Sequence, residues 1–220
     1  MNSHPFPTAS DIEKVHKKYP QLRFVAKNDR WTFVGSVDIV GKEGVYYDDY
    51  DIIIESTPSF PNAFPKLFET SGKFPKTGEW HVFMDGSCCT AVKQKEILAT
   101  RNGITIFRYL DEFALPYLAN QTYRKETGNY ANGEYRHNTE GELQYFVELF
   151  RTEHPMILKD CLQLAMNYRD YSKNQVCFCG SGEKYKSCHL KSIEKAKLLG
   201  YDYLINFFDL IDFIINRTVK

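Results

Sequence analysis

Three consecutive stretches near the start of the chain alternate apolar and polar residues, which is the pattern of half-buried β-strands. They span residues 21–27, 31–40 and 45–55. The turns between them are short, and connections of this length join antiparallel neighbours. The pattern therefore predicts an antiparallel β-meander, and a short edge strand is expected to follow at residues 66–70.

The rest of the chain is mostly helical in pattern, with apolar residues three and four positions apart. The predicted helices cover residues 10–19, 104–125, 142–150, 155–168 and 190–216. The spacing of Ser10 and Glu13 predicts a capping box at the start of the first helix. Pro116 lies inside the second, where we expect a kink or a junction of two helices. Residues 71–100 show no period, and a long irregular stretch in a compact domain is usually functional.

The segment CFCGSGEKYKSCH, residues 177–189, holds three cysteines and a histidine. Three thiolates and one imidazole complete the tetrahedral set that a structural zinc ion takes. The predicted ligands are Cys177, Cys179, Cys188 and His189. Nothing in the loop is apolar enough to form a core, so the metal would have to supply the folding free energy.

This segment resembles the SEC-C motif, a short zinc-binding element on the tail of the protein-export ATPase and on many bacterial proteins. The matching residues are Cys177, Cys179, Gly180, Ser181, Gly182, Lys184, Tyr185, Cys188 and His189. Phe178 and Glu183 replace the usual Pro and Lys of the family, and neither is a ligand. The resemblance implies a structural zinc ion and a partner-binding appendage.

Two other interpretations of the same segment stay open. The first is a set of ordinary free cysteines. The second is a phosphate-cradling loop at GSGEKYK, which lacks the preceding strand and following helix that such loops need. Four protein ligands leave no open position, so a zinc ion here is expected to be structural and not catalytic.

Charge and composition narrow the class of protein. Lys plus Arg and Asp plus Glu both total 28, so the net charge is zero, which argues against a general nucleic-acid binder. A zinc element that binds nucleic acid is a third interpretation and would need a basic face; a modest one is supplied by Lys184, Lys186, Lys191, Lys195 and Lys197. The six cysteines do not form a disulfide framework, and the first residues lack a secretory signal, so a cytoplasmic location is expected. The apolar tract at residues 203–215 is too short and too charged to span a membrane.

Reactive candidates lie in the irregular stretch, where His81 precedes the sequence Asp85-Gly86-Ser87-Cys88-Cys89. A thiol on an exposed turn can reach a large substrate, as a covalent carrier requires. Asp85 is expected to form the turn. On spacing alone, the simpler interpretation is that both cysteines pack in the core and that the histidine is structural. Cys161 lies on the apolar face of a predicted helix and is likewise expected to be a buried, inert core residue.

The order of features resembles the ubiquitin-conjugating enzyme fold over residues 8–126, most closely the bacterial members of ubiquitin-like and anti-phage operons. Residues 60–67, FPNAFPKL, take the place of the proline-rich segment of that family. His81 takes the place of the His in His-Pro-Asn. The sequence Gly-x-x-Cys ends at Cys89, which puts the thioester cysteine of the family there; a register shift of one residue would put it at Cys88.

The resemblance implies an α+β fold in four parts. These are a ubiquitin-conjugating-like domain at 1–128, a helical extension at 129–176, the zinc motif at 177–189 and a C-terminal helix at 190–220. It also implies that His81 holds its loop in place, with a general-base role as the alternative. The polar residues 133–137 are expected either to border the cysteine or to form a solvated loop.

The implied function is to carry or transfer the C-terminus of a ubiquitin-like or other protein as a thioester on Cys89. The expected partner is a protein: a ubiquitin-like protein, a separate activating enzyme or a nucleotidyltransferase-like target. One departure is Phe83, which stands where the family has an Asn that steadies the oxyanion, and Phe cannot donate a hydrogen bond. The alternative is therefore an inactive scaffold, or a zinc-dependent module that binds protein or the ribosome.

Overall fold

The structure is a computed structural model that describes residues 5–41, 43–131, 133–168 and 170–218, with side chains described as far as Phe213. It divides into two compact units. Unit 1 is Met1–His137 and unit 2 is Asn138–Lys220. Unit 1 combines helices with an antiparallel sheet, and unit 2 is helical around a short irregular segment.

The first helix, α1 (Ala9–Lys18), begins at a different cap from the predicted one. Thr8 is the N-cap, and its hydroxyl accepts from the main-chain amide of Asp11 at 3.2 Å. Ser10 lies inside the helix, so the capping box placed there was wrong by two residues. Asp11 is buried, and its carboxylate is satisfied there by the amides of Ile106 and Phe107, which donate to it at 2.7 and 3.1 Å.

Four strands of the described chain form one antiparallel meander in the order β1-β2-β3-β4, as the alternating pattern predicted. They are β1 (Arg23–Lys27), β2 (Arg30–Val40), β3 (Tyr46–Glu55) and β4 (Lys66–Glu69). Asn28 and Asp29 make the first turn with φ of 49° and 58°, the left-handed conformation that a two-residue hairpin turn requires.

One face of the sheet supplies much of the unit 1 core. Its fully buried side chains include Trp31, Phe33, Tyr50, Ile52, Ile54 and Leu67. Gly35 interrupts this face for a steric reason: its φ is 147°, and a Cβ there would lie 2.0 Å from the carbonyl oxygen of Gln21. The alternation along β2 therefore contains a position that only glycine fits.

Asp48 links β3 to two lysines. Its carboxylate accepts from the ammonium groups of Lys73 and Lys125 at 2.9 and 2.7 Å. Burial alone would raise the pKa of Asp48, but these hydrogen bonds outweigh it and lower the pKa to about 2. The carboxylate therefore stays ionised in the folded protein at all but very acidic pH.

The stretch predicted to be irregular contains a helix. A 3₁₀ turn at Gly78–Trp80 is followed by α2 (Lys93–Thr100). The prediction failed because this helix is short and weakly amphipathic, with Gln94, Ala99 and Thr100 as its buried residues.

The long helix predicted at 104–125 runs as α3 (Ile106–Tyr109), a π-helical segment (Leu110–Ala114) and α4 (Leu115–Thr127). The wider π turn ends two residues before Pro116, whose missing amide cannot join an α-helical ladder. The expected irregularity is therefore present. Gly128, with φ of 78°, ends α4 in a left-handed cap.

Unit 2 contains α5 (Asn138–Phe150), α6 (Pro155–Ala165), α7 (Leu190–Lys197) and α8 (Tyr201–Thr218). The single final helix predicted at 190–216 is two helices, because Gly200 takes φ of 88° between them. Cys161 is fully buried, as its helical face predicted. Tyr168 was predicted on the same face, but it follows the end of α6 and is exposed. Among the described helices, none is both long and apolar enough to cross a membrane.

Candidate metal centre and cysteine loop

The predicted zinc segment folds as a compact knuckle without regular strands. A single antiparallel bridge joins Val176 to Lys184, and the amide of Cys177 donates to the carbonyl of Glu183 at 2.7 Å. Gly180 and Gly182, with φ of 80° and 77°, turn the chain between them. A 3₁₀ turn at Tyr185–Ser187 then leads into Cys188 and His189.

The four predicted ligands converge. Their donor atoms all lie within 4.8 Å of one another. His189 Nδ1 lies 3.3 Å from Cys177 Sγ and 3.1 Å from Cys188 Sγ, and Cys179 Sγ lies 3.6 Å from Cys188 Sγ. Tetrahedral zinc with Zn–S bonds of about 2.3 Å would hold its sulfurs about 3.8 Å apart. The donor set and spacing therefore fit one such ion.

The imidazole of His189 is oriented by a second contact. Its Nε2 lies 2.8 Å from the carbonyl oxygen of Phe150, the last residue of α5. This carbonyl can only accept, so Nε2 carries the hydrogen and Nδ1 presents its lone pair to the cysteines. Metal-binding histidines usually donate a hydrogen bond from their second ring nitrogen in this way, which fixes the orientation of the ring.

Burial raises the pKa of Cys177 to about 12, so its thiol would stay protonated at neutral pH without a cation. Metal binding would remove that proton, as it does from coordinating thiols in general.

Aromatic rings pack around the knuckle. The ring of Phe178 lies 5.4 Å from that of His189, and the ring of Tyr171 lies 5.2 Å from that of Tyr185.

An open cleft of about 450 Å³ borders the four-ligand cluster within unit 2. Arg151, Thr152 and Ile157 line one part of it, and Ser181 and Glu183 another. Arg151 donates to the carbonyl oxygen of Cys188 at 3.2 Å, which ties the end of α5 to the ligand loop. The last two ligands, Cys188 and His189, are therefore each hydrogen-bonded to the chain at the end of α5.

The cysteine loop of unit 1 is a small hairpin. Val82 and Cys88 form an antiparallel bridge, and the amide of Phe83 donates to the carbonyl of Ser87 at 2.8 Å. The Asp85 carboxylate accepts from the amide and hydroxyl of Ser87 at 3.0 and 2.6 Å. Hydrogen bonds from Lys66 and Ser87 lower the pKa of Asp85. Asp85 is therefore an ionised residue that shapes the turn, as the sequence predicted.

The two neighbouring cysteines differ in access. Cys88 is buried, and its amide donates to the carbonyl of Leu67 in β4 at 2.7 Å. Cys89 is partly exposed, and its thiol lies 3.7 Å from the carbonyl of Ala91. Burial raises the pKa of both thiols, to about 11 for Cys88. Both are therefore mainly protonated at neutral pH, and Cys89 is the one that a reagent can reach.

At the tip of this hairpin, two large apolar side chains face solvent. Phe83 is 54% exposed and Met84 is fully exposed. Phe83 offers only its main-chain amide as a donor, and that amide is already used by Ser87. The side chain at this position therefore cannot steady an oxyanion.

His81 is positioned at the end of the 3₁₀ turn with φ of 52°. Its carbonyl oxygen accepts from the amide of Cys89 at 2.7 Å, so its main chain holds the cysteine loop. Its Nε2 lies 3.2 Å from a Glu134 carboxylate oxygen, and its ring centroid lies 4.7 Å from that of His137. Burial and the neighbouring His137 lower the pKa of His81.

Glu134 and His137 were predicted only as part of a polar loop, either bordering the cysteine or solvated. The structure brings them to the His81 side chain, and the three donor atoms lie within 4.8 Å of one another. No sequence spacing indicates this cluster, because more than fifty residues separate its two halves.

Residues 174–191 match the SEC-C motif family. This stretch is therefore similar to the SEC-C motif. Its match covers all four members of the cysteine–histidine cluster. The search of curated proteins and the search of solved structures found no match. The resemblance of residues 8–126 to ubiquitin-conjugating enzymes therefore depends on the motifs and element order of this chain.

Proposed function

We propose that this chain carries the C-terminus of a ubiquitin-like protein as a thioester on Cys89, while its SEC-C motif, folded around zinc, docks a protein partner. The observation that carries the first part is the setting of Cys89. It follows a hairpin on an antiparallel meander, precedes α2 and is partly exposed, beside a buried neighbour.

The contrast with Cys88 supports this choice of thiol. Cys88 is anchored to β4 through its amide and its side chain is enclosed, so a protein C-terminus has no path to it. Cys89 lies in the loop before α2, where an extended tail can approach from solvent. The main chain of His81 fixes the Cys89 amide at 2.7 Å, which suits the architectural role expected of that histidine.

The proposed chemistry is an exchange of thioesters. The Cys89 sulfur attacks the carbonyl carbon of a C-terminus that a separate activating protein holds as a thioester, and the donor thiolate leaves with the Cys89 proton. An amine of the target then attacks the new thioester and releases the protein as an amide, returning the Cys89 thiol. No oxidant or metal is consumed.

The zinc part of the proposal is structural. Cys177, Cys179, Cys188 and His189 would occupy all four positions of the ion, which leaves none for a substrate. The ion would fix the knuckle and its adjoining cleft as a rigid surface, because few apolar side chains of residues 174–191 are buried. Residues of that surface are available to a partner only while the knuckle is folded.

The test is thioester trapping with full-length protein. A ubiquitin-like protein bearing an activated C-terminal thioester is mixed with wild type, Cys88→Ala and Cys89→Ala, and adducts are separated without reducing agent. Wild type and Cys88→Ala should form an adduct that a thiol reductant removes, and Cys89→Ala should not. An adduct lost in Cys88→Ala and kept in Cys89→Ala would place the thioester on Cys88 and contradict the assignment to Cys89.

A second candidate function, an inactive scaffold, is favoured by Phe83 and by the raised pKa of Cys89. In that case zinc and the partner surface of unit 2 are the whole function. A double variant, Cys88→Ala with Cys89→Ala, would then bind partners as wild type does, while Cys179→Ala would not. Loss of partner binding in the double variant would exclude the scaffold.

A further inference from the structure

We infer that His81, Glu134 and His137 form a second metal site, in unit 1, that binds a divalent first-row transition-metal ion. The three offer two imidazole nitrogens and one carboxylate oxygen within 4.8 Å of one another. This inference does not depend on the thioester chemistry, and the site lies in a different unit from the SEC-C motif.

The spacing already resembles a coordination sphere. His81 Nε2 and the Glu134 carboxylate oxygen are 3.2 Å apart. Neighbouring ligands of a tetrahedral zinc ion with bonds of about 2.0 Å lie about 3.3 Å apart. A ligand atom of His137 lies within 4.8 Å of those of His81 and Glu134, and the rings of His81 and His137 are 4.7 Å apart.

The loop that supplies Glu134 and His137 is anchored to the rest of unit 1. Tyr130 packs 5.6 Å from the His81 ring, and its hydroxyl accepts from Arg124 at 2.8 Å. The Arg124 guanidinium in turn lies 4.5 Å from the ring of Trp80, the residue before His81. The two halves of the site are therefore tied together before a metal arrives, which lowers the cost of binding.

A second anchor lies on the other side of the two loop ligands. The ammonium of Lys95, in α2, sits 4.7 Å from the ring centroid of Tyr135. Glu134 and His137 thus flank a residue that is fastened to a helix. Their own side chains are exposed, so an ion can enter from solvent.

The donor set indicates the class of metal. Imidazole nitrogens suit zinc, cobalt and iron, whereas magnesium and calcium prefer oxygen ligands alone. Three protein ligands leave at least one position for water or another ligand, unlike the closed set of the SEC-C motif. The site is therefore open at its remaining position, and the exposure of Glu134 and His137 gives solvent access to it.

A metal-free explanation covers only part of the cluster. His81 and Glu134 alone could form an ion pair, and that pair would not need His137 nearby. The ring of His137 nevertheless lies 4.7 Å from that of His81, and its ligand atom is within 4.8 Å of the Glu134 carboxylate as well. A shared cation accounts for all three side chains.

The test is the stoichiometry of Zn²⁺ binding to the full-length protein by equilibrium dialysis and elemental analysis. Wild type should bind two equivalents. His137→Gln and Glu134→Gln should keep the first and bind the second at least tenfold more weakly. His16→Gln, which changes an exposed histidine elsewhere in unit 1, should bind two like wild type. Exposed positions were chosen so that the variants fold, which circular dichroism checks.

A cobalt titration identifies where the second ion sits. Protein with one equivalent of zinc in the SEC-C motif is titrated with Co²⁺. The second site should give weak ligand-field bands without thiolate-to-metal charge transfer, and His137→Gln should lose them. A wild type that binds one equivalent only, a second equivalent unchanged in both variants, or charge-transfer bands on cobalt addition would each overturn the inference.

Discussion

Replacing Cys179 by alanine tests the SEC-C site most cleanly among its four ligands. Its thiol is partly exposed, so the change leaves little cavity and little lost packing. Its sulfur lies 3.6 Å from that of Cys188, and the remaining three ligands stay in place. The variant therefore removes one metal bond and little else.

The expected loss follows from the number of ligands. Structural zinc sites bind with about 10–16 kcal/mol of apparent free energy at pH 7, or about 2.5–4 kcal/mol for each of four ligands. Zinc affinity should fall by about two to three orders of magnitude. Competition with a coloured chelator measures this ratio. Cys89→Ser, which removes a thiol outside the cluster, is the control and should bind zinc as wild type does.

Removal of the metal should unfold the knuckle locally. The amide of Cys177 donates to the carbonyl of Glu183 at 2.7 Å, and those of Tyr185 and Lys186 donate to the carbonyls of Gln175 and Lys173, just before the knuckle, at 2.9 and 3.1 Å. These amides should exchange slowly in the zinc-bound protein and rapidly after chelation, while the amides of β2 stay protected. Hydrogen exchange read by mass spectrometry reports both. Equal protection of the knuckle with and without zinc would refute the reasoning.

Three further predictions concern unit 1. Gly35→Ala should lower the free energy of unfolding by at least about 2 kcal/mol, since its Cβ would overlap a carbonyl. The control is Gly44→Ala, also at positive φ but in open space, which should lower it by about 1 kcal/mol. Chemical denaturation measures both, and equal losses would contradict the steric argument. A thiol reagent should label Cys89 in the native protein well before Cys88, as peptide mass spectrometry would show; equal labelling rates would remove the distinction drawn between them. Asp48 has a folded-state pKa of about 2, below its ordinary value, so the stability that it provides is complete above about pH 4 and is lost as pH falls through 2. Asp48→Asn should therefore show a shallower acid transition by circular dichroism, and an unchanged transition would argue against the lysine contacts.

Local patterns in the sequence predicted the sheet and the metal cluster well. Strand alternation over residues 21–55 determines which side chains face the core, and the observed register follows it. The four ligands lie within thirteen residues, so their convergence needs only a short turn, which Gly180 and Gly182 provide. In both cases the information is carried by neighbouring residues.

Other features depended on contacts that no short window contains. Thr8 replaced Ser10 as cap while Asp11 turned toward Ile106, far along the chain. The helix α2 has no clear apolar stripe. The meeting of His81 with Glu134 and His137 arises from the packing of the loop after α4, which sequence periodicity does not describe.

The central claim is that Cys177, Cys179, Cys188 and His189 bind one zinc ion. X-ray absorption at the zinc edge, on full-length protein carrying one equivalent, tests it directly. The account predicts three sulfur neighbours at about 2.3 Å and one nitrogen at about 2.0 Å. A zinc ion with fewer than three sulfur neighbours, or a freshly purified protein that holds no zinc, would contradict it.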